Sequence, residues 1–259
     1  MKKPQKANDK HKQILVIFDS HQCSHLSLQS IINLASSLKA GIHGLYVEDA
    51  NVLNAAGLPF CREITLQTAK VRETSAPIME RELRAYADRM RALLQQHANT
   101  ARITSSFSIV RGPRLATILK ETREARLVMF PAVSSKWRST ETQNGYPLRN
   151  LIALYYDGTD SADAALSMAA SIASRDDADL VVITKERAYI ETVRERLPSP
   201  SFNVIIHALH KAELATLLTD MTPYSPRLFV LPESSQLVQS SDYVRQLVDR
   251  LHCDVLLVR

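Results

Sequence analysis

The sequence predicts an α/β fold made of two similar halves, each an open parallel sheet with helices on both faces. Short apolar runs alternate with stretches of helical spacing, which is typical of parallel βαβ units. Two of these runs, Ile14–Phe18 and Leu151–Tyr156, are followed directly by an aspartate. The segment Ile14–Ala35 also aligns with Ile152–Ala173, so the pattern begins again in the second half of the chain.

The first half contains seven predicted elements. Ile14–Phe18 is a continuous apolar run, as expected of a strand buried on both faces. Pro77, just after Ser75, marks the start of a long helix, because proline is favoured in the first turn. In chain order we predict a strand at Ile14–Phe18, a helix at Leu26–Leu38, a strand at Ile42–Val47, a helix at Pro77–His97, a strand at Ile103–Val110, a helix at Arg114–Glu124 and a strand at Leu127–Phe130.

The second half repeats this alternation and adds a last strand. Its final helix is indicated by a stripe of apolar residues at helical spacing, Val244, Leu247, Val248 and Leu251. The other predicted elements are strands at Leu151–Tyr156, Leu180–Ile183, Asn203–His207, Leu228–Leu231 and Val255–Val258, and helices at Ala162–Ser174, Ala188–Leu197 and Ala212–Met221.

The alignment of the halves also predicts the domain boundaries. Arg126–Pro131 aligns with Arg227–Pro232 at a shorter offset than the first segments, which places an extra region at about residues 50–97. Residues 133–149 are polar, contain Gly145 and Pro147, and resemble a linker. We therefore expect a basic disordered tail over residues 1–12, a first domain over 13–148 and a second domain over 149–259.

Composition excludes several classes of function. The net charge is +5, but the tail alone contributes +4, so the body of the chain is nearly balanced and we expect no nucleic-acid partner. No apolar run is long enough for a membrane span or a signal peptide, and we expect no membrane partner. The three cysteines form no C-x-x-C pair, which agrees with a reducing compartment. Together these features predict a cytoplasmic protein.

Motifs for phosphate binding and catalysis are absent from the sequence. The chain has only six glycines, and their spacing excludes both G-x-G-x-x-G and G-x-x-x-x-G-K-[ST]. G-x-S-x-G, H-E-x-x-H and S-G-G-x-D-S are absent as well. We therefore expect a protein that is not an enzyme.

Three segments together resemble one known family. They are Leu151–Ala173, Ser240–Arg259 and Leu45–Glu63, and their order is typical of a tandem universal stress protein, which carries two copies of the family's domain. The resemblance spans nearly the whole chain after the tail. It implies two adenine-nucleotide-alpha-hydrolase-like (Rossmann-like) domains and a role in stress response.

The resemblance also bears on ATP. Members that bind ATP carry G-x2-G-x9-G-[ST] after the fourth strand, and an aspartate at the end of the first strand contacts the adenosine. Asp19 and Asp157 match that aspartate, but the glycine loop is missing from both halves. Pro131 and Ser134 stand at its first two glycines in the first half, and Pro232 and Ser235 in the second. The resemblance therefore implies a degenerate member without tight ATP binding and with no cofactor.

The candidate site is a vestigial crevice for a nucleotide or another small ligand. Ligands of parallel sheets bind beyond the carboxyl ends of the strands, where the strand order switches. The residues expected there are Asp19, Val47, Gly112, Pro113 and Asp157, with Glu48, Asp49, Arg111 and Arg114 nearby. The alternative is that Asp19 and Asp157 cap helices and that Gly112 forms a plain turn. Because Glu48 and Asp49 are adjacent in a strand, we expect them to face opposite sides.

Two other stretches carry alternative interpretations. Asp19, His21, Cys23 and His25 alternate like metal ligands, but protein zinc sites usually combine separated segments, so we expect no metal. Cys23 is either an activated thiol or a small buried residue. Leu45–Glu63 is either packed between the halves, or a lid over the crevice, or a partner surface.

These features predict a stress-response protein that acts by binding, as an adaptor for an unidentified protein or small ligand. We expect the two domains to associate through the final strand, and whole chains to form a homodimer. One alternative is a switch that binds an adenine nucleotide at Asp19 or Asp157. Another is an enzyme with unfamiliar chemistry in the first crevice.

Overall fold

The computed structural model describes residues 13–18, 25–64, 69–132, 150–197, 200–211, 213–221, 223–235, 246–247 and 250–259. The tail over 1–12, the linker over 133–149, Asp19, His21 and Cys23 therefore lie outside the described residues. Val244 and Val248 of the last predicted helix lie outside them as well.

The first half follows the predicted order and adds three short elements in the extra region. Its elements are β1 (Gln13–Phe18), α1 (His25–Leu38), β2 (Gly41–Asp49), α2 (Ala50–Ala56), β3 (Arg62–Ile64), β4 (Val71–Glu73), α3 (Ala76–Thr100), β5 (Ser105–Gly112), α4 (Arg114–Thr122) and β6 (Leu127–Phe130). The sequence predicts none of α2, β3 and β4.

In the second half, the elements that lie within the described residues are bounded as predicted to within a few residues. It consists of β7 (Leu151–Tyr156), α5 (Asp160–Asp176), β8 (Asp179–Thr184), α6 (Tyr189–Arg196), β9 (Val204–Ala208), α7 (Leu214–Met221), β10 (Leu228–Pro232) and β11 (Asp254–Val258).

One nine-stranded sheet runs through both halves, in the order β5-β2-β1-β6-β11-β10-β7-β8-β9. The strand order repeats, because β1 lies between β2 and β6 in the first half and β7 lies between β8 and β10 in the second. All neighbouring strands are parallel except β6 and β11, which pair antiparallel from Phe130↔Val255 to Leu127↔Val258. Besides the three added elements, the structure differs from two separate sheets, because the sheets of the two halves are continuous through the final strand, where we expected the domains to associate. The reason is that β11 pairs with the edge that β6 offers.

Helices cover both faces of the sheet and enclose two cores. Successive residues of a strand point to opposite faces, so Ile14, Val16 and Phe18 of β1 belong to one core, which includes residues of α1, α3 and α5. Leu15 and Ile17 belong to the other core, which includes Ile118 of α4, Leu217 and Met221 of α7, and also Leu247 and Leu251. Among the described residues, no helix is both long enough and apolar enough to cross a membrane.

The segment Leu45–Glu63 lies on the first half. Asp49 begins α2 by accepting a hydrogen bond from the Asn51 amide at 2.9 Å. Helix α2 then packs against α3 and β5, and β3 forms an antiparallel ladder with β4. These contacts attach the segment to α3 and β5 of the first half.

Candidate functional site

In the first half, ion pairs join Glu48 of β2 and Arg111 of β5 to each other and to α3. Glu48 is buried, and its carboxylate accepts a hydrogen bond from Arg111 Nε at 2.9 Å. Arg111 Nη2 also contacts Glu80 of α3 at 2.6 Å. The hydrogen bond from Arg111 lowers the pKa of Glu80, and the bonds to Glu80 and Glu48 raise the pKa of Arg111. This arrangement attaches the carboxyl ends of β2 and β5 to α3.

The neighbours of Glu48 point away from this network. Val47 is buried in the core on the α4 side, and Asp49 caps α2. Glu48 and Asp49 therefore face opposite sides, as the strand period requires. The two carboxylates do not converge on one ligand position.

Gly112 and Pro113 form a tight turn into α4. A Cβ at Gly112 would lie 2.5 Å from Thr117 Oγ1, so only glycine allows this approach. The Thr117 amide donates to the Pro113 carbonyl at 3.0 Å and closes the first turn of the helix. The arginines on either side belong to different elements, because Arg111 lies in β5 and Arg114 begins α4.

In the second half, Asp157 is bound by the turn that follows it. Its Oδ1 atom accepts hydrogen bonds from the Thr159 hydroxyl at 2.6 Å and from the Thr159 amide at 3.3 Å. Gly158 has a φ of 80°, in the left-handed region, and a Cβ there would lie 2.3 Å from the Tyr189 ring. Asp157 thus fixes the β7–α5 turn.

The loop after β10 reaches this turn through one serine that the sequence analysis missed. The Ser234 hydroxyl lies 2.5 Å from the Thr159 hydroxyl and 2.6 Å from the Ser161 hydroxyl. We call Asp157, Thr159, Ser161 and Ser234 the hydroxyl cluster. It lies where β7 and β10 end side by side, which is the switch in strand order in the second half.

The residues at the expected glycines of the second loop are themselves packed. Pro232 and Ser235 are both buried, and the Ser235 amide donates to the Pro232 carbonyl at 3.2 Å. The amide of Glu233, between them, donates to the Val258 carbonyl at 2.9 Å. Backbone amides of this loop therefore bond within the chain.

The order of the strands and the position of the switch allow a comparison with known folds. The chain shares its fold with a solved universal stress protein. That protein, from Archaeoglobus fulgidus, is 13% identical over 95% of this chain and 96% of its own, with a TM-score of 0.56. A protein of unknown function from Pseudomonas aeruginosa is also 13% identical, covering 96% of this chain and 93% of its own at a TM-score of 0.51. No protein-family model and no curated protein matches the sequence.

Within this universal stress protein fold, the join between the halves contains a buried carboxylate. Asp254, at the start of β11, is 1% exposed, and its Oδ1 atom accepts a hydrogen bond from the Ala132 amide at 2.8 Å. Ala132 directly follows Pro131, in the loop after β6. The amide just after the fourth strand of the first half is therefore bound by a residue of the second half.

A cavity of about 450 Å³ lies away from these residues. Its walls come from β1, β2 and the end of α4, including Gln13, His43 and Lys120. Gln13 begins β1 and Lys120 lies near the end of α4, so the cavity opens toward the amino ends of the strands. Gly112 and Asp157 lie at the carboxyl ends, so the cavity is separate from the predicted crevice.

Proposed function

We propose that this chain is a tandem universal stress protein that acts in stress response by binding, without catalytic turnover and without tight ATP binding. The repeated strand order and the shared fold support the family assignment. Two domains, over residues 13–148 and 149–259, would then form one unit through the β6–β11 pair. Three features near the carboxyl ends of the strands support the absence of tight ATP binding and of catalytic turnover.

The observation that carries the proposal is the hydroxyl cluster. A phosphate-binding loop offers free backbone amides, and glycine lets the backbone approach the phosphate closely. Here the Ser234 hydroxyl instead bridges to Thr159 and Ser161 at 2.5 and 2.6 Å. A nucleotide phosphate at this position would have to compete with both hydrogen bonds.

The first half supports the same conclusion through electrostatics. Ala132 offers the amide that follows β6, but Asp254 already accepts its hydrogen bond in a buried environment. A phosphate placed at this amide would meet a second negative charge of low solvent exposure. Like charges repel strongly where water is excluded.

The carboxylates near the strand ends are also engaged in structure. Glu48 is ion-paired with Arg111, and Asp157 is hydrogen-bonded to Thr159. A carboxylate that acts as a general base or nucleophile must reach the substrate with an oxygen that is not already engaged. These engagements support a binding role in preference to turnover.

The test is nucleotide binding by the purified full chain. We expect no adenine nucleotide in the supernatant after denaturation, and titration calorimetry with Mg-ATP should give a Kd weaker than about 1 mM. Ser234→Gly would remove the hydroxyl that bridges Thr159 and Ser161, and Ser201→Gly is the matched control in a distant loop. A gain of affinity confined to Ser234→Gly would support the blocking role of Ser234.

The opposite result would favour the switch that binds an adenine nucleotide. Stoichiometric nucleotide in the supernatant, or micromolar affinity of the unmodified chain, would overturn the proposal. Asp19→Ala and Asp157→Ala would then show which half holds the nucleotide. The unmodified chain would be an enzyme if it released phosphate from ATP and if Asp19→Ala abolished that release while the protein stayed folded.

A further inference from the structure

The exposed apolar side chains of this protein are concentrated in one segment of the first half. Seven large apolar residues are exposed among the described residues, and five of them lie between positions 52 and 71. Phe60 is 99% exposed, and Leu58 and Ile64 are each more than 60% exposed. Contiguous exposed apolar residues mark interaction surfaces more often than isolated ones do.

The backbone at Phe60 supports an interaction role. Phe60 has a φ of 62°, in the left-handed region that is unfavourable for a bulky residue. Such conformations persist where surrounding contacts require them, and they concentrate at functional positions. Within its own chain the ring gains almost no burial, so packing inside the monomer does not explain the position.

One side of the β3–β4 ladder is fixed to the rest of the first half. Arg72 donates to Glu63 on the neighbouring strand at 2.8 Å and to Glu82 of α3 at 2.8 and 2.6 Å. Glu63 and Arg72 are a cross-strand pair, so they share one side of the ladder. The opposite side therefore carries the alternate residues.

That opposite side, which we call the outer face, consists of Arg62, Ile64, Val71 and Glu73. Arg62 pairs with Glu73 across the ladder, and Ile64 pairs with Val71. All four residues are exposed. The outer face therefore combines an apolar pair with one positive and one negative charge, and its net charge is zero.

We propose that the outer face packs against the same face of a second copy of this chain. If the two-fold axis runs parallel to the strands, β3 of each copy lies over β4 of the other. This arrangement places Arg62 of each copy over Glu73 of the other, and Ile64 of each over Val71 of the other. Both charged contacts are attractive and both apolar contacts are buried, so the face is complementary to itself.

The charges of the outer face favour a second copy of the chain over other partners. A strongly acidic partner would meet the carboxylate of Glu73, and a strongly basic partner would meet the guanidinium of Arg62. A second copy meets opposite charges at both positions. Leu58 and Phe60, which lie just before β3, would extend the apolar contact.

The main sheet gives an independent reason for a separate interface. The final strand, β11, pairs with β10 on one side and with β6 of the first half on the other, so it joins the two halves of one chain. Its hydrogen-bonding groups are therefore used within the chain. A homodimer needs another surface, and this inference does not depend on whether the protein binds ATP.

Charge reversal in the full chain tests the two-fold contact. Sedimentation velocity of the unmodified protein should show a species of twice the chain mass of 29.0 kDa. Arg62→Glu and Glu73→Arg should each weaken dimerisation by roughly tenfold, because each places like charges together at two symmetric contacts. The double variant, Arg62→Glu with Glu73→Arg, should dimerise within about threefold of the unmodified protein, because the contacts become attractive again. An equimolar mixture of the two single variants should form a heterodimer.

Phe60→Asn separates binding from folding. Asparagine tolerates the left-handed backbone better than phenylalanine, so the variant should keep the thermal stability of the monomer while dimerisation weakens. Leu119→Ser, at an exposed leucine of α4, is the matched control and should leave the dimer intact. Circular dichroism confirms that each variant is folded.

Three results would overturn the proposal. The first is a monomer at every concentration up to about 100 µM, since a weaker contact would not form a stable dimer. The second is a dimer that none of the outer-face variants weakens. The third is a double variant that dimerises no better than the single ones, because that outcome excludes contact between Arg62 and Glu73 of two copies.

Discussion

Removal of the Asp254 carboxylate should show how strongly the two halves depend on each other. Asp254 is buried at the start of β11 and accepts the Ala132 amide from the loop after β6. A hydrogen bond to a charged group contributes about 1.5–3 kcal/mol, and a buried amide without a partner costs about 1–3 kcal/mol. The two terms overlap, so we expect Asp254→Ala to lower the free energy of unfolding by about 2–4 kcal/mol.

Urea unfolding measures this loss as a lower midpoint at an unchanged slope. Asp254→Asn keeps an oxygen that can accept the Ala132 amide, so it should cost only about 1 kcal/mol. Asp179→Ala is the matched control, because Asp179 also begins a strand but accepts a hydrogen bond from Asn203 of its own half. It should cost less than about 1 kcal/mol, as a partly exposed hydrogen bond does.

The size of the loss at Asp254 shows whether its hydrogen bond links the two halves. If Asp254→Ala changed the free energy of unfolding by less than about 0.5 kcal/mol, the buried bond could not be an important link between the halves. Two separate transitions in the variant, against one in the unmodified protein, would show that this contact couples the halves.

Two further predictions concern the second half. Hydrogen bonds from Arg175 and from Arg227 hold the pKa of Asp176 below its usual value of 3.8. The ionised Asp176 therefore contributes its full stabilisation above pH 3.8, and this stabilisation is lost as the pH falls through the lowered pKa of the folded protein. Asp176→Asn should therefore be less stable than the unmodified protein at pH 7, and urea midpoints of the two should converge as the pH falls below 3.8. Gly158→Ala should lower stability by about 1–3 kcal/mol, because alanine is strained at a φ of 80° and its Cβ would meet a tyrosine ring. Gly57→Ala, at a φ of −81°, should leave the melting temperature nearly unchanged in the same thermal scan, and equal effects at the two glycines would contradict the reasoning.

The sequence predicted the long elements well because their signals are local. A buried strand such as β7 is a continuous apolar run, and α3 begins at a proline and repeats its apolar residues at helical spacing. The strands β3 and β4 have three residues each, which is too short for a period of two to appear. They were missed for that reason.

The candidate site was predicted only in part. Asp157 was identified because it ends an apolar strand, but Ser234, which is 73 residues from Ser161, had no local signal. Asp254 was within reach of sequence reasoning, since a charged residue at the start of a fully apolar strand needs a partner when buried. Its partner, the Ala132 amide, is 122 residues away and could not be read from the pattern.

By itself, the sequence determined the alternation of strands and helices, the repeat of that alternation, and the positions where strands end in aspartate. These follow from hydrophobic periodicity and turn-forming residues, which act over a few positions. Only the tertiary structure decided that the final strand joins the halves by pairing antiparallel with β6, and that a face of Arg62, Ile64, Val71 and Glu73 is left outside. Those outcomes depend on which strand edges and polar groups remain unpaired after each half has folded, and the amino-acid pattern of a single element does not carry that information.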